Sequence, residues 1–180
     1  MQLKKFVPFV LVLGLFCALF AGCGTPPATV AYVDLQKYAG LWYQIAAYPQ
    51  FFNLGLAGVT AEYSINDDGT VRVFNRGLQG GLEGPETTIE GTARIVDAQT
   101  NAKLAVRFNF PLGSLFEGEY WIITLDSDYT YAVVSDSRKA SLFILSRTPT
   151  LSQDITEQIL TDLETRGFDI GKLIFTQQSP

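Results

Sequence analysis

Two pairs of carboxylates are the residues best spaced for acid–base chemistry in this chain: Glu117 with Glu119, and Asp126 with Asp128. Two acids whose surroundings push their proton affinities apart can share the roles of general acid and general base. The first pair flanks Gly118 at the start of a strand-like run. The second sits in a hairpin turn, where carboxylates are usually just solvated. The chain has no histidine, which excludes Ser-His, Cys-His and His-metal sites in their usual forms. Catalysis would have to rest on those carboxylates, on lysine or on tyrosine. No metal site and no cofactor site is expected.

Both cysteines, Cys17 and Cys23, fall at the N-terminus. Lys4 and Lys5 precede an apolar run from Phe6 to Phe20, and Ala21-Gly22 lead into Cys23. A basic head, a short apolar run and small residues before a cut point make a secretory signal. A membrane span would need roughly 20 apolar residues. Because the small residues stop at a cysteine, the segment resembles the lipobox of bacterial lipoproteins, with Leu19 one place early and Phe20 in the usual leucine position. The resemblance implies that residues 1–22 are removed and that Cys23 is acylated as a membrane anchor. An ordinary cleaved signal is the alternative. Gly24, where inner-membrane lipoproteins usually carry Asp, implies the periplasmic face of an outer membrane. Residues 23–33 are small and Pro-rich and read as the lipidated cysteine and a flexible tether. Residues 34–180 are expected to form one folded domain.

The net charge of −5 becomes more negative once Lys4 and Lys5 leave, and no basic stripe offers itself to phosphates. Nucleic acid is therefore a poor partner. Without a disulfide, stability must come from apolar burial, which 47% hydrophobic residues can supply.

Alternating apolar and polar residues predict strands over Gly40–Tyr48, Gly58–Ile65, Thr70–Arg76, Thr88–Val96, Lys103–Phe110, Glu119–Leu125, Tyr129–Ser135 and Ser141–Arg147. Asn66-Asp67-Asp68-Gly69 and Asp126-Ser127-Asp128 are hairpin signals between them. One helix follows, with Ser152 as N-cap, Asp154 in its first turn, an apolar stripe of Ile155, Ile159, Leu160 and Leu163, and Gly167 at its end. A short strand over Lys172–Thr176 closes the chain. Eight antiparallel strands in sequence order with one amphipathic helix predict an all-β fold: a closed eight-stranded up-and-down barrel with the helix packed outside. A β-sandwich is the competing architecture.

Three motifs then appear in order. Gly40-Leu41-Trp42-Tyr43 opens the first strand, Asp126-Ser127-Asp128-Tyr129-Thr130-Tyr131 leads into the seventh, and Leu145-Ser146-Arg147-Thr148-Pro149 ends the eighth. Together they resemble the three signatures of the lipocalins, and most closely the bacterial outer-membrane lipocalins related to apolipoprotein D. The likeness runs from about Asp34 to Gln178. It implies that Trp42 plugs the barrel base with Arg147 stacked on its face, a structural pair in that family. It also implies an interior that binds a small apolar ligand, a fatty acid or a lysophospholipid.

Side-chain parity nominates the lining: Ala61, Tyr63, Val71, Val73, Leu104, Val106, Phe108, Phe143 and Leu145, with Tyr120, Ile122 and Tyr131 on strands where both faces are apolar. Plain core packing is the competing reading for each. Tyrosine hydroxyls inside could meet a polar head group. The apolar loop Pro49–Leu56, with Phe51, Phe52 and Leu54, is expected to form a lid touching ligand or membrane, and Phe110–Phe116 a second rim segment. The expected partners are a lipid ligand and, through the acyl anchor, a membrane; the chain is expected to be a monomer or a homodimer and not an enzyme. Two alternatives stand: a structural envelope lipoprotein with a filled barrel, and a lipocalin-fold enzyme acting on an isoprenoid or polyene.

Overall fold

A computed structural model describes residues 25–50, 52–109 and 117–179. The signal segment, Cys23, Phe51 and the rim segment Phe110–Phe116 lie outside the described residues. Nine strands run β1 (Gly40–Ala47), β2 (Leu56–Ile65), β3 (Val71–Gln79), β4 (Glu86–Ile95), β5 (Lys103–Phe108), β6 (Gly118–Leu125), β7 (Tyr131–Ser135), β8 (Leu142–Ser146) and β9 (Ile174–Phe175). Each of the first seven pairs antiparallel with the next, and β1 pairs with both β8 and β2, so the sheet closes on itself. A barrel, not a sandwich, is the result, and closure leaves no aggregation-prone edge among the eight.

Two apolar layers follow from the pleat. Trp42, Tyr63, Val73, Leu104, Val106, Ile122, Ala132, Val134 and Leu145 face inward as one cluster. Ile45, Ile123, Val133, Leu142 and Ile144 face outward, where α2 (Gln153–Thr165) covers them with Ile159 and Leu163, and Phe168 follows. Ser152 caps that helix by accepting from Ile155 N at 3.3 Å. Arg166 fastens its far end, donating to Ile123 O and Thr124 Oγ1 at 3.0 Å each and to Ala28 O at 2.8 Å. Because β6 and β7 are covered on both sides, both their faces are apolar.

Three features depart from the sequence expectation. A four-residue helix, α1 (Leu35–Tyr38), capped by Asp34, precedes β1. The segment before it is not a free tether throughout: Val30 N donates to Ile122 O at 3.0 Å and Val33 N to Thr100 O at 2.8 Å, and Val33 is fully buried. The C-terminal strand is shorter than Lys172–Thr176 and begins after a 3-10 turn at Ile170–Lys172. It pairs with Ala46 and Ala47, while Gln177 O accepts from Gly58 N at 2.7 Å. The tail therefore lies between the outer halves of β1 and β2, whose direct pairing covers only residues 40–43 and 60–63.

The buried core from Val33 to Phe168 lies within the described residues. No helix among those residues is long and apolar enough to cross a membrane.

Candidate functional site

The barrel is plugged at one end and open at the other. At the plugged end Trp42 is fully buried, and its indole Nε1 donates to Tyr38 O at 2.8 Å. The Arg147 guanidinium lies 3.9 Å from the Trp42 ring centroid. It donates to five main-chain carbonyls: Leu41 (2.8 Å), Lys37 (2.7 Å), Ala39 (2.9 Å), Tyr38 (3.1 Å) and Tyr129 (3.3 Å). One side chain thus caps the last turn of α1, stacks on the plug and ties the β6–β7 turn to it. Burial lowers its pKa from the usual arginine value, against tyrosines that favour the cation; the charge is shared among dipoles. Gly40, at φ +97°, holds a conformation that a side chain would strain, and a Cβ added there would lie 3.4 Å from Arg147 Nη1.

Above the plug stand three buried tyrosines whose hydroxyls form a chain. Tyr120 donates to Tyr63 at 3.0 Å, and Tyr38 and Tyr120 are 2.7 Å apart. Desolvation pushes the Tyr63 phenol up to about 12 and raises Tyr38 and Tyr120 well above the ordinary value. All three stay neutral at physiological pH. Beside them a small apolar pocket is lined by Val71, Leu104, Ile122, Leu35, Ile65 and Ala93.

From the tyrosines to the open end the barrel holds a cavity of about 900 Å³. Ala61, Tyr63, Val73, Val106, Phe108, Tyr120, Phe143 and Leu145 line it. Val71, Leu104 and Ile122 lie deeper, on the small pocket. Tyr131 does not line the cavity. It packs against the outward cluster under α2, because Ala132 and Val134 take the inward phase of β7. The barrel is not filled by its own large side chains.

Phe52 lines the cavity mouth, with its ring 6.4 Å from that of Phe108. Leu54, on the same loop, is 67% exposed and is not among the residues that line the cavity. Parity also places two polar residues on the wall that a search for apolar lining overlooks, Gln44 and Asn75, and Asn109, just past the end of β5, lines it out of that phase. Gln44 follows Trp42, and Asn75 follows Val71 and Val73, in the same alternation.

The acidic pairs have structural partners. Glu117 bridges Arg94 (2.8 Å) and Arg107 (3.1 Å), and the Arg94 hydrogen bond holds its carboxyl below the usual range. Glu119 accepts from Ser137 N at 2.9 Å. Asp126 accepts from Thr130 and from Asp128 N, closing the turn, and its pKa is likewise lowered, chiefly by the Thr130 hydroxyl. Among the described residues no cluster of three or more potential metal ligands occurs.

Comparison with known proteins agrees with this geometry. Residues 33–178 match the family model described as a lipocalin-like domain. The chain is similar to outer membrane lipoprotein Blc of Escherichia coli (strain K12), 39% identical over 166 residues, covering 91% of each chain. It is also similar to apolipoprotein D of Cavia porcellus, 32% identical over 166 residues, covering 89% of this chain and 84% of the other. Among solved structures, insecticyanin from the tobacco hornworm Manduca sexta superposes with a TM-score of 0.65 at 20% identity, over 86% of this chain and 85% of that one. That last likeness concerns the fold alone.

Proposed function

The chain belongs to the lipocalin family, and from that premise we propose that it binds a single-chain lipid, a fatty acid or a lysophospholipid, inside its barrel and stores or transports it at the outer membrane of a bacterial envelope. The observation that carries this reading is the open cavity of about 900 Å³. Its size lies within the roughly 300–1,000 Å³ typical of small-molecule sites. Its deeper wall is apolar apart from neutral hydroxyls and amides, which suits an acyl chain. Relatives named outer membrane lipoprotein Blc in Escherichia coli and Vibrio cholerae support the compartment.

Acylation of Cys23, after removal of residues 1–22, supplies the anchor in this reading. Ala28 is already pinned to Arg166, so only four residues separate it from Cys23. Such a stretch spans at most roughly 18 Å. The pinned segment runs over β6 near Ile122 and then past Thr100 towards α1.

Native mass spectrometry of residues 25–180, titrated with palmitic acid and with lysophosphatidylethanolamine, tests the reading. A saturable one-to-one adduct that Phe108→Asp abolishes supports it. A folded domain that takes up neither lipid overturns it.

A further inference from the structure

Among the described residues, Asn75 Oδ1 is the one buried side-chain polar atom without a hydrogen-bond partner. It belongs to a side chain on the cavity wall. A buried amide left unpaired is costly, and native structures rarely keep one without a use. The torsion that orients an asparagine amide is broad and roughly two-fold, so either its oxygen or its nitrogen can turn towards the cavity.

A second unmet group stands beside it. Since Tyr120 donates to Tyr63, Tyr38 must donate to Tyr120 for their contact to be a hydrogen bond. Three hydroxyl protons then serve two bonds, and the proton of Tyr63 is left over. In the register of β2 and β3, Tyr63 faces Val73 and Ala61 faces Asn75. Tyr63 and Asn75 are therefore diagonal neighbours on one inward face, a relation of roughly 7 Å. Asn75 sits one pleat nearer the mouth, and across the next strand it faces Ile89.

Among the described residues neither side chain is hydrogen-bonded to a charged group, and the acids on the cavity wall are Glu90, Glu117, Glu119 and Asp136. The cations on the cavity wall are Arg76, paired outside with Glu86, and Arg138 in the β7–β8 loop at the mouth. An ionised carboxylate at the level of Asn75 would have no counterion and would lose its hydration. A neutral hydroxyl, ester or amide would meet both a donor and an acceptor.

We propose that Asn75 and Tyr63 form a neutral polar reading point partway down the cavity, which selects acyl ligands carrying an uncharged hydroxyl, ester or amide at that depth over plain hydrocarbon chains of equal length. The proposal rests on the reading that a lipid occupies the cavity. It makes Asn75 a specificity residue kept at a cost to the empty protein.

Stearic acid and stearic acids bearing one hydroxyl at carbon 3, 10 or 12 test it by displacing a fluorescent fatty acid from residues 25–180. The carboxylate and chain length are shared, so only the inner hydroxyl differs. Hydroxylation normally weakens entry into an apolar cavity. Here the best-placed hydroxyl is expected to bind about tenfold tighter than stearic acid, the scale of one satisfied polar group. Asn75→Leu, which removes the orphan amide, is expected to reduce that preference, read as the ratio of the two affinities on the same variant, to less than twofold and to raise the melting temperature. Asn75→Ala serves as the second variant should leucine overfill the site. The proposal is overturned if stearic acid outranks all three hydroxylated chains on the wild type, or if both variants keep the wild-type preference. If no chain binds the folded wild type, the lipid reading itself falls and the proposal with it.

Discussion

The guanidinium of Arg147 lies 3.9 Å from the centre of the Trp42 ring and holds five carbonyls from α1, β1 and the β6–β7 turn. A planar fork can do both at once, whereas a lysine ammonium offers three donors at one point. Arg147→Lys is expected to destabilise the barrel by about 2–4 kcal/mol, since buried acceptors lose their donors. Trp42→Ala should cost about 3–5 kcal/mol through the cavity it leaves. In a double-mutant cycle by urea denaturation, the coupling between the two should reach about 1 kcal/mol or more. Strict additivity would mean that the stack contributes nothing.

The tyrosine chain makes stability fall at alkaline pH. An unfolded tyrosine titrates near 10, whereas burial holds folded Tyr63 up to about 12. Protonated Tyr63 is thus favoured in the folded state, and its contribution is complete below pH 10. As pH rises from 10 to 12 the unfolded chain releases that proton first, which costs the fold roughly 3 kcal/mol. Denaturation curves at pH 9, 10, 11 and 12 should show a decline that is shallower in Tyr63→Phe. Parallel declines would remove Tyr63 as its source.

Asp136 behaves in the opposite sense. Burial pushes its carboxyl up, but the Ser141 hydroxyl and the main-chain N–H groups of Arg138, Ala140 and Ser141 more than offset this, and its pKa lies below the ordinary aspartate value. Its contribution is present above about pH 4 and disappears as pH falls through the depressed folded value. Asp136→Asn should lower stability at pH 7 by about 1–2 kcal/mol. The gap between variant and wild type should close towards pH 2, as thermal melts across that range would read out.

The C-terminal tail completes the wall between β1 and β2. Gln178 Nε2 donates to Gln44 O and to Val59 O at 2.8 Å each, and Gln44 Nε2 to Thr176 Oγ1 at 2.7 Å. Ending the chain at Leu173 strips these bonds and leaves the buried amide of Gln44 unpaired. The truncated barrel is expected to lose about 2–4 kcal/mol and to release a bound fluorescent fatty acid several-fold faster. Stopped-flow dissociation at equal occupancy measures the second effect. An unchanged release rate would show that the seam stays shut without the tail.

Much of this was legible before any coordinates. The alternation Val59, Ala61, Tyr63, Ile65 marks one face of β2, and the Ser152 cap with Ile159 and Leu163 marks α2, because strand and helix periods are local properties of the chain. The same parity carried Phe143 and Leu145 to the cavity wall once Arg147 was set inward. Asn75 was equally readable from the phase of Val71 and Val73. It escaped because only apolar residues were sought for the lining.

Parity failed where burial is two-sided. Tyr131 could not be assigned from β7, whose inner face meets the cavity and whose outer face meets α2. Bulges between Gln44 and Ala46 and between Ile122 and Thr124 shift the phase within a strand, and no local pattern announces them. The tail between β1 and β2 and the pinning of Val30 and Val33 join residues 67 or more positions apart.

By itself, then, the sequence determined which residues alternate, where turns and caps fall, and that a closed eight-stranded barrel with one outer helix could bury its apolar faces. Tertiary structure alone decided which of two apolar faces turns inward, how the seam is closed, that a cavity remains, and that Asn75 Oδ1 on its wall is left without a hydrogen-bond partner. The division has a physical reason: periodicity is written in neighbours along the chain, whereas hydrogen-bond satisfaction and empty volume depend on which distant segments come to pack together.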